Sequence, residues 1–350
     1  MNSLYNVGET AVVARPPADA YLVLNSADRS TSTSNIGGFG IPLTQPYNNF
    51  RLQKPENMVQ GGFTRLALTE INFPYSIPNV NPRTNSFWVV LRQTTQDIKA
   101  KIVIPVLPTS MTGSEIASYV QAVLNASAVG VATWSVNYFP ESILGYQASG
   151  FSIDTLSDPD NLAFALYPVE PILNYPNPPT LLGSADTKSL LNVMGFNPLS
   201  NWAYLTDLTN TIPNEILSKA STYAPLTYTS YIDIVSQKLT YHQNVRDGST
   251  SALSGSNIIY RLYISDNTSA TVINQYYDGS QGVKYLATPP PGSVPTVIHR
   301  QIVSPKIFNW QQNTAIDWID IQLLDDMGQP LYVPVEGLPD FQITFKVSED

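Results

Sequence analysis

An all-β fold with two or three short helices is predicted, and three observations predict it. The chain carries 28 prolines in 350 residues, which leaves little room for long helices. Its 20 tyrosines suit strands and interfaces, where an apolar ring packs and one hydroxyl finds a partner. Apolar and polar residues alternate with period two in several segments, as β-strands require.

Residues 1–19 read as an N-terminal arm. Ala11–Val13 could add to a sheet edge, while Pro16 and Pro17 decouple that piece from the next segment. Tyr21–Leu24 is a short apolar strand that stops at the turn-prone Asn25-Ser-Ala-Asp. Residues 30–62 read as one long loop, with Gly37, Gly38 and Gly40 in it and a locally extended piece at Tyr47–Leu52. Phe63–Phe73 is a strand in which Leu66, Leu68 and Glu70 share one face and Ala67, Thr69 and Ile71 the other. Pro74, Pro78 and Pro82, with Asn79, Asn81 and Asn85, then make a corner before the strand Ser86–Leu91.

Ile98–Val106 alternates as a half-buried strand. Thr112 and Glu115 are spaced as a capping box, so the main helix starts there, with Ile116, Tyr119, Val120, Val123 and Leu124 on its apolar face. Strands come next at Ala132–Phe139, Gly145–Asp154 and Leu162–Tyr167, and the proline-rich Pro168–Pro179 reads as a loop. Lys188–Met194 is a short helix ended by Gly195, with Phe196 packing back on it, and 214–220 suggests one more helical turn. The remainder is β: Leu226–Gln243 as a bent strand or a pair, Ile258–Ser265, Thr296–Trp310, Ile316–Leu324, Leu331–Val333 and Phe341–Val347. Tyr276–Val294 reads as a Gly/Pro loop, and Asp325-Asp326-Met327-Gly328-Gln329 as a hairpin turn.

Bulk properties exclude several functions. Charged residues make up 13% of the chain and the net charge is −9, with no basic run. A nucleic-acid surface needs clustered Lys and Arg, so direct nucleic-acid binding is not expected. Without cysteine there is neither a disulfide nor a thiolate metal site. Neither a signal peptide nor a transmembrane segment is expected from the patterning. An uncharged polar surface costs less to cover than a charged one, which suits a protein whose neighbours hide much of it.

No catalytic set stands out. The two histidines, His242 and His299, fall in expected strands, and there is no Gly-x-Ser-x-Gly elbow. Asp154, Asp158 and Asp160 could offer hard oxygens to calcium, but Pro159 breaks the ligand order and a capped turn explains them better. Asp317 and Asp320 differ by an odd step, so a regular strand sends them to opposite faces rather than making a glycosidase pair. Gly37–Gly40 lacks the Lys-Ser/Thr of a phosphate loop. Asn125 and Asn267 fit the glycosylation pattern, though without a signal peptide use is not expected. No catalytic, cofactor-binding or metal-binding residues are expected.

An ordered series of segments carries a family likeness. A strand ends in Asn25–Arg29; Ala67–Val89, Ile102–Pro105, Leu190–Phe196 and Tyr231–Asp247 come after it, and Asp326–Pro330 closes the series. This resembles the jelly-roll minor capsid and penton (vertex) proteins of large icosahedral double-stranded DNA viruses and their virophage relatives. The resemblance implies a single jelly-roll β-sandwich over 20–350; 350 residues and more than eight candidate strands exceed a bare roll, so an inserted elaboration is expected within 132–223. It implies a structural, non-enzymatic virion protein assembled inside the host cell. The expected role is a homopentamer at the fivefold vertices, in contact with the major capsid protein and with other minor capsid proteins. A minor capsid or cement protein, and a carbohydrate-binding β-sandwich of a fibre or spike, stand as alternatives.

Overall fold

The computed structural model describes residues 19–29, 31–36, 39–53, 58–59, 63–139, 150–156, 161–181, 187–196, 203–204, 215–219, 224, 226–241, 257–264, 271–278, 282–286, 297–310, 315–335 and 337–349. The first strands are β1 (Asp19–Asn25), β2 (Thr31–Ile36), β3 (Phe39–Thr44), β4 (Asn49–Gln53) and β5 (Arg65–Pro74). Next come β6 (Ser86–Gln93), β7 (Asp97–Val103), helix α1 (Gly113–Ala126), β8 (Trp134–Phe139), β9 (Gly150–Leu156) and β10 (Asn161–Tyr167). They are followed by β11 (Pro171–Asn174), β12 (Asn177–Leu181), α2 (Leu190–Met194), β13 (Ala203–Tyr204) and β14 (Glu215–Lys219). The last part holds β15 (Tyr231–Val235), α3 (Gln237–Thr240), β16 (Ile258–Tyr263), β17 (Thr271–Asp278) and β18 (Gly282–Leu286). It closes with β19 (Val297–Gln301), β20 (Ile307–Asn309), β21 (Trp318–Leu324) and β22 (Gln342–Ser348).

Eight of these strands define the architecture. One sheet runs β1-β22-β5-β19 and continues into β17 and β18; the facing sheet runs β16-β15-β21-β4. Taking β1, β4, β5, β15, β16, β19, β21 and β22 as first to eighth, first pairs with eighth, second with seventh, third with sixth and fourth with fifth, all antiparallel. A long hairpin folded at its middle and wound on itself gives this order, which is the jelly roll. Its core is filled from both sheets, by Phe73, Ile343 and Phe345 on one side and Ile232, Leu262 and Ile319 on the other. The alternation read in Phe341–Val347 is what aims Ile343, Phe345 and Val347 inward.

The parity read in β5 holds only for its first half. Leu66 and Leu68 face the core, but so do Ile71 and Phe73, while Glu70 does not. The reason is a bulge against β22: Thr344 pairs with Glu70 and Phe345 with Leu68, so Thr69 is an extra residue. One extra residue exchanges the two faces of everything after it.

A second core sits between the third and fourth strands of the roll. It runs from Val80 to Leu226 and shares no residue with the first. The sheet β13-β10-β6-β7 and the sheet β14-β9-β8 enclose it, with α1 against β8 and β7. The elaboration expected within 132–223 therefore starts upstream of that range, because β6, β7 and α1 belong to the same core.

α1 begins as expected, with Thr112 accepting from the Glu115 amide and Glu115 Oε2 accepting from the Thr112 amide at 2.8 Å. Ile116, Val120 and Leu124 are buried with Ala117, whereas Tyr119 is 37% exposed and lies off the buried stripe. Gly195 ends α2 at φ 79°, and the Phe196 amide donates back to Leu191 O at 2.9 Å.

Several expectations need correcting. The expected loop 30–62 contains the β2–β3 hairpin and β4, a full member of the roll. The proline-rich 168–179 contains most of the β11–β12 ribbon; a two-stranded ribbon has only edges, where proline need not donate. Residues 215–219 are a strand because they pair with β9, which outweighs local helix preference. Residues 226–243, expected as a bent strand or a pair, hold one strand and a helix among their described residues: β15 ends at Val235, and α3 begins where Ser236 caps the Leu239 amide. The expected loop 276–294 includes the end of β17 and all of β18, which pair with each other. The expected strand 296–310 is broken into β19 and β20, and 331–333 carries no strand. Residues 1–18 of the arm lie outside the described residues, and Asp19 already belongs to β1.

Candidate functional site

The chain passes between the two cores twice, and the two passages meet. On the way out, Tyr75 and Ile77 belong to the first core and Val80 to the second; on the way back, Leu226 belongs to the second and Tyr228 to the first. Two asparagines hold the outward passage. Asn79 is fully buried; its Oδ1 accepts from the Met111 amide at 2.8 Å, and its Nδ2 donates to Met111 O at 2.7 Å. Asn81 Oδ1 accepts from the Arg83 amide at 2.9 Å, and Thr84 Oγ1 donates to Asn79 O at 2.8 Å. The Pro/Asn corner read in the sequence is thus the exit from the roll.

Arg83 and Lys188, both from the inserted stretch, reach back to the roll. Arg83 Nη1 donates to Pro330 O at 2.6 Å and to the Tyr228 hydroxyl at 3.1 Å, and lies 3.8 Å from Asp325 Oδ2. Tyr228 in turn donates its hydroxyl hydrogen to Asp325 Oδ2 at 2.7 Å. Lys188 Nζ donates to Tyr228 O at 2.8 Å and pairs with Asp326. Asp326 Oδ2 also accepts from the Ser230 amide at 2.9 Å. Asp325 Oδ1 accepts from the Met327 and Gln329 amides, both at 3.0 Å, which closes the hairpin turn expected from sequence.

Burial pushes the Tyr228 phenol well above its ordinary pKa, and the hydrogen bond to Asp325 pushes the same way. Tyr75 is raised too, first by burial and then by the neighbouring Tyr228. Asp325 accepts three hydrogen bonds, one from Tyr228 and two from its own turn. This arrangement fixes geometry.

The residues weighed as chemical candidates do not converge. His299 Nδ1 lies 3.5 Å from Glu70 on the outer face of β19, while His242, Asp158, Asp160, Gly37, Gly38 and Asn267 lie outside the described residues. Asp154 Oδ2 accepts from Asn137 Nδ2 at 3.2 Å and from Ser152 Oγ at 3.3 Å. Asp317 and Asp320 do not point apart: both serve α3. Asp320 accepts from Ser236 Oγ and from the Gln237 and Lys238 amides, and Asp317 lies 3.7 Å from Lys238 Nζ. Asp317 precedes β21, so the strand pleat does not govern it. Asn125 caps the turn after α1, accepting from the Trp134 amide at 2.8 Å. Among the described residues, no group of three or more His, Asp or Glu side chains is placed to hold a metal, and no helix is long and apolar enough to cross a membrane.

Outside the joint, the outer face of the β1–β22–β5–β19 sheet carries a shallow depression of about 590 Å³. Tyr21, Val23, Ile302 and Val303 bring apolar surface to it, and Tyr21 and Val303 are 68% and 95% exposed.

The strand order and this joint define an all-β jelly-roll protein with a second β core inserted between the third and fourth strands. No family model and no curated protein matches the chain. Among solved structures, it is similar to the mavirus penton protein at 10% identity and a TM-score of 0.45, covering 95% of this chain and 100% of that one. It is also similar to a chain of the Sputnik virophage structure at 12% identity and a TM-score of 0.41, covering 95% and 98%. At those values neither likeness bears on what this chain does.

Proposed function

We propose that this chain is a structural protein of a virus particle, forming pentamers at the fivefold vertices of an icosahedral shell. The strand order supports the reading most. A jelly roll of this order is an architecture on which capsid shells are built, and the series from Asn25–Arg29 to Asp326–Pro330 resembles that of penton and minor capsid proteins. The buried polar groups at the joint hold shape, and the described candidate residues each have a structural partner, which fits a protein that acts by assembling. Fivefold closure makes every contact head-to-tail between two different surfaces of one protomer. Its partners are further copies of itself, the major capsid protein and other minor capsid proteins, within a particle put together in the host cell.

The carbohydrate-binding alternative is weaker. Trp318 would be a natural platform for a sugar ring, yet the Arg51 guanidinium lies 3.9 Å and Lys238 Nζ 4.8 Å from its ring centroid. Imaging of a particle that contains the chain tests the proposal. Density for this fold at the fivefold axes is the expected result. Density only beneath or between major capsid capsomers would replace the vertex role with a cement role.

A further inference from the structure

We propose that the two passages between the cores form a hinge, held at one angle by a polar clasp of Arg83 and Lys188 on Tyr228, Asp325, Asp326 and Pro330. Among the described residues the two cores share none, so no continuous apolar contact joins them there. Relative motion is the default where a joint is small and polar. The clasp resists that motion because two of its members are paired away from water: the Lys188 side chain is 8% exposed and Asp325 is 1% exposed. Leu226, on the returning passage, sits at φ 51°, a left-handed conformation that branched residues rarely adopt. Such strain persists only where surrounding contacts hold it, and clusters where a structure has to switch or turn sharply. Opening the clasp releases the inserted core to rotate as a rigid body about residues 75–85 and 226–230, leaving both cores packed.

The chain has no cysteine, so two introduced thiols can be spin-labelled without background. Tyr241→Cys, on the roll, and Val131→Cys, on the inserted core, replace side chains 80% and 60% exposed. In the otherwise unaltered full chain, the distance distribution between the labels should be single and narrow. Adding Lys188→Met with Arg83→Met should widen it severalfold, or move its maximum, while the melting transition and the aromatic circular dichroism persist. An unchanged, narrow distribution in that folded variant overturns the hinge. Should the double change not fold, Arg83→Gln alone, at a side chain 40% exposed, decides the matter. A smaller widening supports the proposal; no widening, or loss of folding from so mild a change, means the cores are one cooperative unit and overturns it.

Discussion

The Tyr228 hydroxyl donates to Asp325 Oδ2 at 2.7 Å across 97 residues of sequence, at the point where the returning chain re-enters the roll. Tyr75, nearby in the same core, is buried with backbone of Tyr228 and Thr229 against its hydroxyl and no carboxylate bonded to it. The two tyrosines should therefore respond differently to losing their oxygen. Tyr228→Phe leaves a buried carboxylate oxygen short of a donor and should cost about 1–3 kcal/mol. Tyr75→Phe removes a hydroxyl that holds no carboxylate and should cost less than Tyr228→Phe. Urea denaturation of the two variants checks this, and equal losses would contradict the hydrogen-bond assignments.

Alkaline pH should weaken the joint. The pKa of Tyr228 is raised in the folded chain, chiefly by burial. Its share of stabilisation is therefore complete below the ordinary phenol value of about 10 and is lost as pH rises through the folded value. Tyr228→Phe removes that group, so the fall in stability above a pH of about 10 should be shallower than in the unaltered chain. Midpoints measured from neutral pH upward provide the comparison.

Asn79 and Asn81 are fully buried in the outward passage. Asn79→Ala strands the amide and carbonyl of Met111, and a loss of roughly 2–4 kcal/mol is expected. Asn79→Asp should do no better, because a carboxylate cannot donate to Met111 O. Expression yield and chemical denaturation would register both effects, and wild-type behaviour of either variant would refute the role given to this corner.

The start of α1 makes a separate prediction at acid pH. Hydrogen bonds from the Thr112 amide and then its hydroxyl hold the pKa of Glu115 below the ordinary value. This contribution is present above the ordinary glutamate pKa of about 4.3 and disappears as pH falls through the lower folded value. Thr112→Ala should cost about 1 kcal/mol at neutral pH. Amide exchange in the first turn of α1 should rise in this variant and, in the unaltered chain, on acidification.

How much of the fold is legible in the sequence depends on which forces act locally. The alternation of Phe341–Val347, the capping box at Thr112–Glu115 and the Gly195 stop are written in neighbouring residues and can be read there. The β5 bulge cannot, since the extra residue is defined by register against β22, far away in sequence. Residues 215–219 likewise become a strand only through pairing with β9. The joint is half visible. Asn79, Asn81 and Asp325-Asp326 stand out as turn formers, and they do form turns. Arg83, Lys188 and Tyr228 give no signal, because isolated basic and aromatic residues acquire meaning only when the winding of the roll brings distant segments together.

The native mass of the purified full-length protein, measured by sedimentation at assembly concentrations, tests the central claim most directly. A closed ring of five copies is the predicted result. A stable monomer that binds glycans would contradict the vertex role and favour a carbohydrate-binding β-sandwich.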